Sequence, residues 1–288
     1  MHPSVSALVE DWTQRTGIAL SAEEIIRKRC QQTIEFGKQL GMTGPPYNPA
    51  VLASCLGIQI EPSEMDMDRD ALLIPRSDGG LLLRFNPRRP QSRINFTLCH
   101  EIVHTFFPDA YTQVHARGPE NTPCPVELLC DLGAAELLMP REDFLQLQSA
   151  HGSGLRSVAP LSRSFGASRE PVIRRLAALA TRPSAAIFLR LGLRKEEQNH
   201  PESASPRLRI HHFEAGSSFP SFIPINKSSP EDSCVYRALR DPIRGSIHTG
   251  TQEGWNLPRP MQMNVEAMNL QTAEDDPSPT VAALLLPA

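Results

Sequence analysis

The chain has 288 residues, which at about 150 residues per domain is enough for two domains. Hydrophobic residues make up 40% of it, so the chain can bury a core and is not disordered as a whole. The formal net charge of −3 gives no overall positive field that would favour nucleic acid or an anionic membrane as the partner. The 27 prolines, about twice the usual share, predict interrupted elements and long connections.

The beginning of the chain lacks the basic segment and the continuous apolar stretch of a signal peptide. No run of residues approaches the roughly 18 apolar residues that a membrane-spanning helix requires. We therefore expect a cytoplasmic protein that does not contact a membrane. The cysteines show no paired Cys-x-x-Cys spacing, so we interpret them as reduced thiols that mostly fill the core. They are Cys30, Cys55, Cys99, Cys124, Cys130 and Cys234.

Residues 1–47 predict a helical extension at the N-terminus. The first apolar residues indicate one helical segment. Ser21 and Glu24 have the spacing of a capping box, and the apolar residues after them predict a second helix to about residue 40. Pro45 and Pro46 interrupt the helical pattern, so we end the extension at residue 47.

Residues 48–150 predict a domain that mixes helices and strands. Apolar periodicity and turn residues predict a short helix, a strand, a β-hairpin and two longer helices, at 49–56, 58–60, 71–85, 93–107 and 126–139. Ser92 is placed to cap the first long helix, and Pro140 ends the second.

The rest of the chain divides into a helical segment, a linker and a C-terminal region. Residues 151–194 predict two helices joined by a short turn, and then a strand. Residues 195–207 have no apolar period and predict a solvated linker. Residues 208–288 predict a small β-rich domain, which makes the chain α+β as a whole. The candidate helices and strands of these parts lie at 155–164, 168–179, 187–193, 208–213 and 281–286.

The segment His100-Glu101-Ile102-Val103-His104 lies within the first long predicted helix. Because His100 and His104 are four residues apart, their imidazoles project from one face and can bind one metal ion. Glu101 lies about 100° around the helix, where its carboxylate can take a proton from a water and later pass it to the leaving amine. The motif therefore predicts a metal-dependent hydrolase with Glu101 as the catalytic residue.

A catalytic zinc ion usually binds a third protein ligand and keeps one position open. We favour Glu127 because a carboxylate on an otherwise apolar helix is costly unless it is paired or metal-bound. Asp131, one turn later, is spaced to accept the ring N–H of a liganding histidine and so to fix its orientation. The competing candidates for the third ligand are Asp109, His115, Asp131 and Glu136.

The loop between the two long helices and the β-hairpin supply further candidates. Tyr111 and His115 are candidate donors to the oxyanion of a tetrahedral intermediate, although a loop residue without a role is the more common case. The hairpin strand at residues 81–85 offers an edge for an extended peptide substrate.

Two segments resemble the ImmA/IrrE family of metallopeptidases. The first is Arg93-Ile-Asn-Phe-Thr-Leu-Cys-His-Glu-Ile-Val-His104, and the second runs from Glu127 to Pro140 and ends in Ala-Ala-Glu-Leu-Leu-Met-Pro. The resemblance extends over about residues 48–192 and implies that Glu127 is the third metal ligand. The family usually has Asn where this chain has Asp131, and a carboxylate there still accepts a hydrogen bond.

The resemblance implies a zincin-like minimal metallopeptidase domain, in which helices and a small sheet surround the His-Glu-x-x-His helix, followed by a helix-turn-helix-like segment. Zinc is the expected cofactor, and the donor set also accepts manganese or another divalent ion. Family members cleave a helix-turn-helix transcriptional repressor, so a repressor is the expected protein substrate, in stress response or mobile-element regulation. Longer members carry a sensor-like C-terminal domain, for which residues 208–287 are the candidate counterpart.

The helix pair and the metal site each have an alternative interpretation. The helix pair carries a basic cluster that suits DNA or a repressor, although such a cluster is more often a solvated face of a helix bundle. Its members are Arg163, Arg169, Arg174, Arg175 and Arg182. The alternative to an enzyme is a non-catalytic regulator that binds a repressor or DNA and whose metal is structural. A structural site is usually closed by four protein ligands and needs no Glu101, so the complete motif favours the peptidase.

Overall fold

The computed structural model describes residues 2–64, 69–117, 124–194, 197, 205–251, 255, 263–271 and 280–287. Helices and strands are mixed in it, as the sequence predicts. The chain forms two compact units: the first contains the residues up to Phe144 and Arg163–Ser168, and the second contains Leu145–Ser162 and the residues from Arg169 onward. Within the described ranges, no helix is long and apolar enough to cross a membrane.

The first unit begins with three helices, α1 (Pro3–Thr16), α2 (Ala22–Gln39) and α3 (Pro49–Cys55). The predicted capping box closes the start of α2. The Glu24 amide donates to Ser21 Oγ at 3.3 Å, and the Ser21 amide donates to the Glu24 carboxylate at 2.8 Å. These bonds satisfy backbone donors that the helix itself leaves unpaired.

A four-stranded sheet lies in the first unit, in the spatial order β1-β3-β2-β4. Its strands are β1 (Ile58–Pro62), β2 (Ala71–Pro75), β3 (Leu81–Phe85) and β4 (His115–Arg117). β2 and β3 form the predicted antiparallel hairpin, with Leu73 opposite Leu83.

The prediction that residues 81–85 offer an open strand edge is wrong. β1 pairs in parallel with β3 along all five of its residues, so β3 has a neighbour on each side. β4, which lies in a predicted loop, pairs with β2 and forms an edge of the sheet as far as the described residues extend. The local pattern of the hairpin does not encode which other strands pair with it.

Two helices that pack closely together carry the motif residues, α4 (Gln91–His104) and α5 (Pro125–Leu138). Gly133 makes their close approach possible, because a β-carbon at this position would lie 2.6 Å from Val103 Cγ2. The absence of a side chain on α5 therefore lets the two helix backbones come near each other.

The start of α4 is fixed by charged contacts to the sheet. The helix begins after Pro90 and not at the predicted Ser92 cap. Arg93, in its first turn, donates to Asp70 Oδ2 at 2.7 and 3.0 Å, and Asp70 directly precedes β2. Because Asp70 is only 5% exposed, this pair is largely shielded from solvent on the carboxylate side.

The remaining helices are α6 (Arg141–His151), α7 (Val158–Phe165), α8 (Arg169–Ala178) and α9 (Cys234–Arg240). α7 and α8 correspond to the predicted helix pair. α9 has no counterpart in the prediction, because its seven residues are too few to show a clear apolar period.

A five-stranded antiparallel sheet lies in the second unit, in the order β6-β5-β9-β8-β7. Its strands are β5 (Ala185–Gly192), β6 (Arg207–Ala215), β7 (Ile247–Thr251), β8 (Met263–Asn269) and β9 (Thr280–Pro287). β5 pairs with both β6 and β9, so it belongs to the same sheet as the C-terminal strands.

The predicted linker at residues 195–207 therefore separates two strands that pair with each other. Of that segment, only residue 197 and residues 205–207 fall within the described ranges. The compact units divide the chain elsewhere, near residues 144 and 163–169, because strand pairing joins segments that are far apart in sequence.

Candidate metal centre

α4 presents two buried imidazoles one helical turn apart. The Nε2 atoms of His100 and His104 lie 3.1 Å from each other, and the two residues are 1% and 3% exposed. This is the result of the four-residue spacing, which brings both side chains to one face of the helix. The two ring nitrogens therefore converge on a single point inside the first unit.

Glu127, in the first turn of α5, completes this group. Its Oε2 lies 3.2 Å from His100 Nε2, and its Oε1 lies 3.4 Å from His104 Nε2. Hydrogen bonding to His100, and then to His104, holds the pKa of the Glu127 carboxyl well below its usual range. The carboxylate is therefore ionised at neutral pH and faces both rings.

The contact of Asp131 with His100 indicates whether the two histidines and Glu127 fit a metal ion. Its Oδ1 lies 2.9 Å from His100 Nδ1, on the other side of the ring from Glu127. When Asp131 accepts the Nδ1 proton, the neutral ring has a lone pair at Nε2, which faces the carboxylate and the second imidazole. Electron pairs that converge in this way need a proton or a metal cation between them. Two histidines and one carboxylate are a donor set of zinc, so the residues fit a divalent ion.

Glu101 is the other residue of the motif and is fully buried, at 0% exposure. Neither of its carboxylate oxygens has a hydrogen-bond partner among the described residues. A buried carboxylate without a partner costs free energy, so folding alone does not explain its presence. Its position suits a group whose partner is a molecule that the site binds.

Two of the competing candidates for the third ligand have other partners. Asp109 accepts a hydrogen bond from Ser4 Oγ at 2.9 Å. Glu136 lies 3.6 Å from Arg27 Nε. Neither contact involves the two imidazoles, so Glu127 is the candidate carboxylate for which the structure records contact with both rings.

Among the described residues, no contact links either candidate oxyanion donor to the two imidazoles. Tyr111 ends a 3-10 turn at Pro108–Tyr111 and is 53% exposed. The backbone of His115 lies in β4, and its side chain falls outside the described residues. Their roles stay predictions.

The thiol of Cys130, for which the sequence predicts only core filling, lies close to the two imidazoles. Its Sγ and one ring nitrogen each of His100 and His104 all lie within 4.8 Å of one another. Cys130 is fully buried and lies three residues after Glu127, so the two side chains project from the same side of α5. This three-residue spacing is the signal that sequence reasoning could have used.

Arg29, on α2, supports the end of α4 that carries His104. Its Nη1 donates to the carbonyl oxygen of Phe106 at 2.8 Å, and its Nη2 lies 2.8 Å from Asp11 Oδ2 on α1. A charged donor bonded to a carbonyl just beyond a helix C-terminus also interacts favourably with the helix dipole. Helices α1 and α2 of the N-terminal extension are therefore linked, through Arg29, to the residues that directly follow the motif.

A His-Glu-x-x-His helix packed against a second helix that supplies a carboxylate is typical of metallopeptidases. The comparisons with known proteins agree with this class. Residues 53–177 match the family described as the IrrE N-terminal-like domain. The radiation response metalloprotease IrrE of Deinococcus deserti is 26% identical over 176 residues, an alignment that covers 59% of this chain and 62% of that protein. These matches confirm the resemblance of the chain to the ImmA/IrrE family.

A solved structure is similar over nearly the whole chain. It is a Mycobacterium tuberculosis transcriptional regulator, with a TM-score of 0.60 and 14% sequence identity. The similarity covers 99% of this chain and 82% of the other. At this identity the likeness concerns the fold.

Proposed function

We propose that the chain is a metal-dependent endopeptidase that hydrolyses a peptide bond in a helix-turn-helix transcriptional repressor and so relieves repression. The observation that carries this proposal is the convergence of His100, His104 and Glu127 on one point, beside a buried and unpartnered Glu101. A site with only a structural metal has no need of that last carboxylate.

His100, His104 and Glu127 would hold the ion, and Asp131 orients the His100 ring through Nδ1. A divalent ion bound there would polarise the scissile carbonyl and lower the pKa of a water to about 7. Zinc suits two imidazoles and a carboxylate, and manganese or another divalent ion is also compatible with them.

Glu101 is the catalytic residue in this proposal. Its carboxylate accepts the proton of the attacking water and transfers it to the nitrogen of the leaving amine. Because no described residue bonds to either oxygen, neither an ion pair nor a hydrogen bond has to be broken before the proton moves. Burial also keeps bulk water away from the carboxylate.

The substrate proposal rests on the chain's relatives and on one feature of the sheet. The relative from Deinococcus deserti is named a radiation response metalloprotease, and the similar solved structure is named a transcriptional regulator. β4 pairs with β2 on one side and has no strand on its other side within the described residues. An extended peptide can add to such an edge through main-chain hydrogen bonds.

The basic cluster of the helix pair supports direct binding to DNA less well than the motif supports a peptidase. Arg174 pairs with Glu170 at 2.6 Å and lies over the ring of Phe188. Arg175 is 5% exposed. Two of the five arginines are therefore engaged in packing or pairing within the second unit, which favours an ordinary face of a folded unit.

The test compares the wild type with Glu101→Gln and with the surface control Glu35→Gln, using full-length protein. Glutamine preserves size but cannot accept a proton at neutral pH. Cleavage of a separately purified candidate repressor should therefore fall about 10²- to 10⁴-fold. Metal content, measured on the same samples, should stay unchanged. Glu35 is exposed on α2, and its variant should cleave normally. Full cleavage by Glu101→Gln, or by metal-free wild type, would overturn the proposal.

A further inference from the structure

The Cys130 thiol lies close to both imidazoles of the proposed site. Its Sγ belongs to the buried group that includes a ring nitrogen of each histidine, with all separations within 4.8 Å. It is carried by α5, the helix that also supplies Glu127 and Asp131. Three side chains of one helix therefore face the two imidazoles of the other.

The geometry is close to what coordination requires. Zinc binds nitrogen at about 2.0–2.1 Å and sulfur at about 2.3 Å, so two such donors on a tetrahedral ion are about 3.5 Å apart. The separations here have an upper bound of 4.8 Å. A movement of about 1 Å, within the range of a cysteine χ1 adjustment, is enough to bring the sulfur into coordination.

We propose that Cys130 is a fourth protein donor that, with His100, His104 and Glu127, closes the coordination sphere of the ion and keeps the peptidase latent. Formation of the sulfur–metal bond releases the thiol proton to solvent. When that bond breaks, the thiol regains a proton and a water takes the vacated position. The latency rests on the proposed function, whereas the coordination itself does not.

Closure by Cys130 accounts for the buried thiol beside the two imidazoles, which the three predicted ligands leave unexplained. Zinc sites with four protein ligands are generally structural, whereas catalytic sites keep one position for water. This chain combines a soft sulfur donor with a carboxylate suited to proton transfer. A donor that can leave reconciles the two, because the same ion is then closed at rest and open during catalysis.

Cys99 provides a matched control. It is also a fully buried cysteine, it directly precedes His100 on α4, and burial raises the pKa of its thiol. Cys99 is not part of the donor cluster found in the described portion of the chain. Its substitution changes a buried thiol beside the motif without removing the proposed sulfur donor.

The first experiment loads full-length protein with cobalt(II) and records its absorption spectrum. A cobalt–thiolate bond gives an intense sulfur-to-metal charge-transfer band in the near ultraviolet. We expect this band in the wild type and in Cys99→Ser, and its loss in Cys130→Ala and Cys130→Ser, while the weaker visible bands of bound cobalt persist. Two variants are used because serine preserves the size of the side chain. A wild type that binds cobalt without the charge-transfer band would overturn the proposal.

The second experiment measures cleavage of the candidate repressor by the zinc-loaded proteins. Removing the fourth donor leaves a permanently open position, so Cys130→Ala should cleave faster than the wild type. An unchanged or lower rate, together with loss of the band, would overturn the latency. Absence of the band with cleavage intact would leave the peptidase function standing. Presence of the band without cleavage by any variant would instead refute the peptidase function.

Discussion

Replacing Gly133 by alanine tests whether the close approach of α4 and α5 maintains the proposed metal centre. A β-carbon at this position would lie 2.6 and 2.8 Å from the two methyl groups of Val103 and 2.9 Å from Ile26 Cγ2. Both neighbours are fully buried, at 0% exposure. Carbon atoms in ordinary contact are about 3.5–4.0 Å apart, so these neighbours would have to move by roughly 1 Å.

Two effects of opposite sign decide the outcome. Alanine favours a helix over glycine by about 1 kcal/mol, whereas overpacking a core costs about 1–3 kcal/mol. Val103 is β-branched and stiff at χ1, and both of its methyl groups contact the added carbon, so a rotation cannot relieve both contacts. We therefore place the overpacking cost in the upper part of its range, at about 2–3 kcal/mol, and expect the free energy of unfolding to fall by about 1–2 kcal/mol. The helices should also separate, which moves Glu127 away from the histidines and weakens metal binding.

Urea unfolding and zinc titration of the Gly133→Ala protein measure these two effects. Gly192→Ala is the control, because nothing lies within 4 Å of a β-carbon there. It should change the free energy of unfolding by no more than about 0.5 kcal/mol. A Gly133→Ala protein as stable as the wild type, with unchanged zinc affinity, would refute the argument that this glycine sets the distance between the helices.

Two further predictions concern Asp131 and His211. Asp131→Ala should weaken zinc affinity by about 10- to 100-fold, because His100 loses the acceptor that orients its ring. His100→Ala should abolish zinc binding. Equal zinc affinity of Asp131→Ala and wild type in a titration would contradict the role of Asp131. Burial, and then Arg190, lower the pKa of His211 from 6.5 to about 4. The unfolded chain therefore binds a proton more readily, so stability is full above about pH 6.5 and falls as the pH drops towards 4. Chemical unfolding at several pH values should show a shallower decline for His211→Gln, and identical slopes would contradict the assignment.

Features that depend on residues a few positions apart could be predicted from the sequence. The capping box at Ser21 and Glu24 forms as predicted, because both partners lie within one helical turn. The β2–β3 hairpin also forms, since a turn and its flanking apolar strands are local signals. The convergence of His100 and His104 follows in the same way from a spacing of four residues on one helix.

The partners of these local elements could not be predicted, because tertiary packing decides them. The sequence leaves several residues open as the third ligand, and the structure gives Asp109 and Glu136 other partners while Glu127 faces both rings. Pairing of β1 with β3 removes the expected strand edge, and pairing of β5 with β9 joins strands about ninety residues apart.

The sequence by itself thus determined the His-Glu-x-x-His motif, the helix that carries it and the family that it resembles. Only the tertiary structure decided which side chains meet that motif, including the thiol of Cys130. The physical reason is that helix periodicity fixes directions within one element, whereas the approach of α5 to α4 depends on contacts such as Gly133 with Val103, thirty residues apart. Those contacts are set by the shape of a packed core, to which distant parts of the chain contribute together.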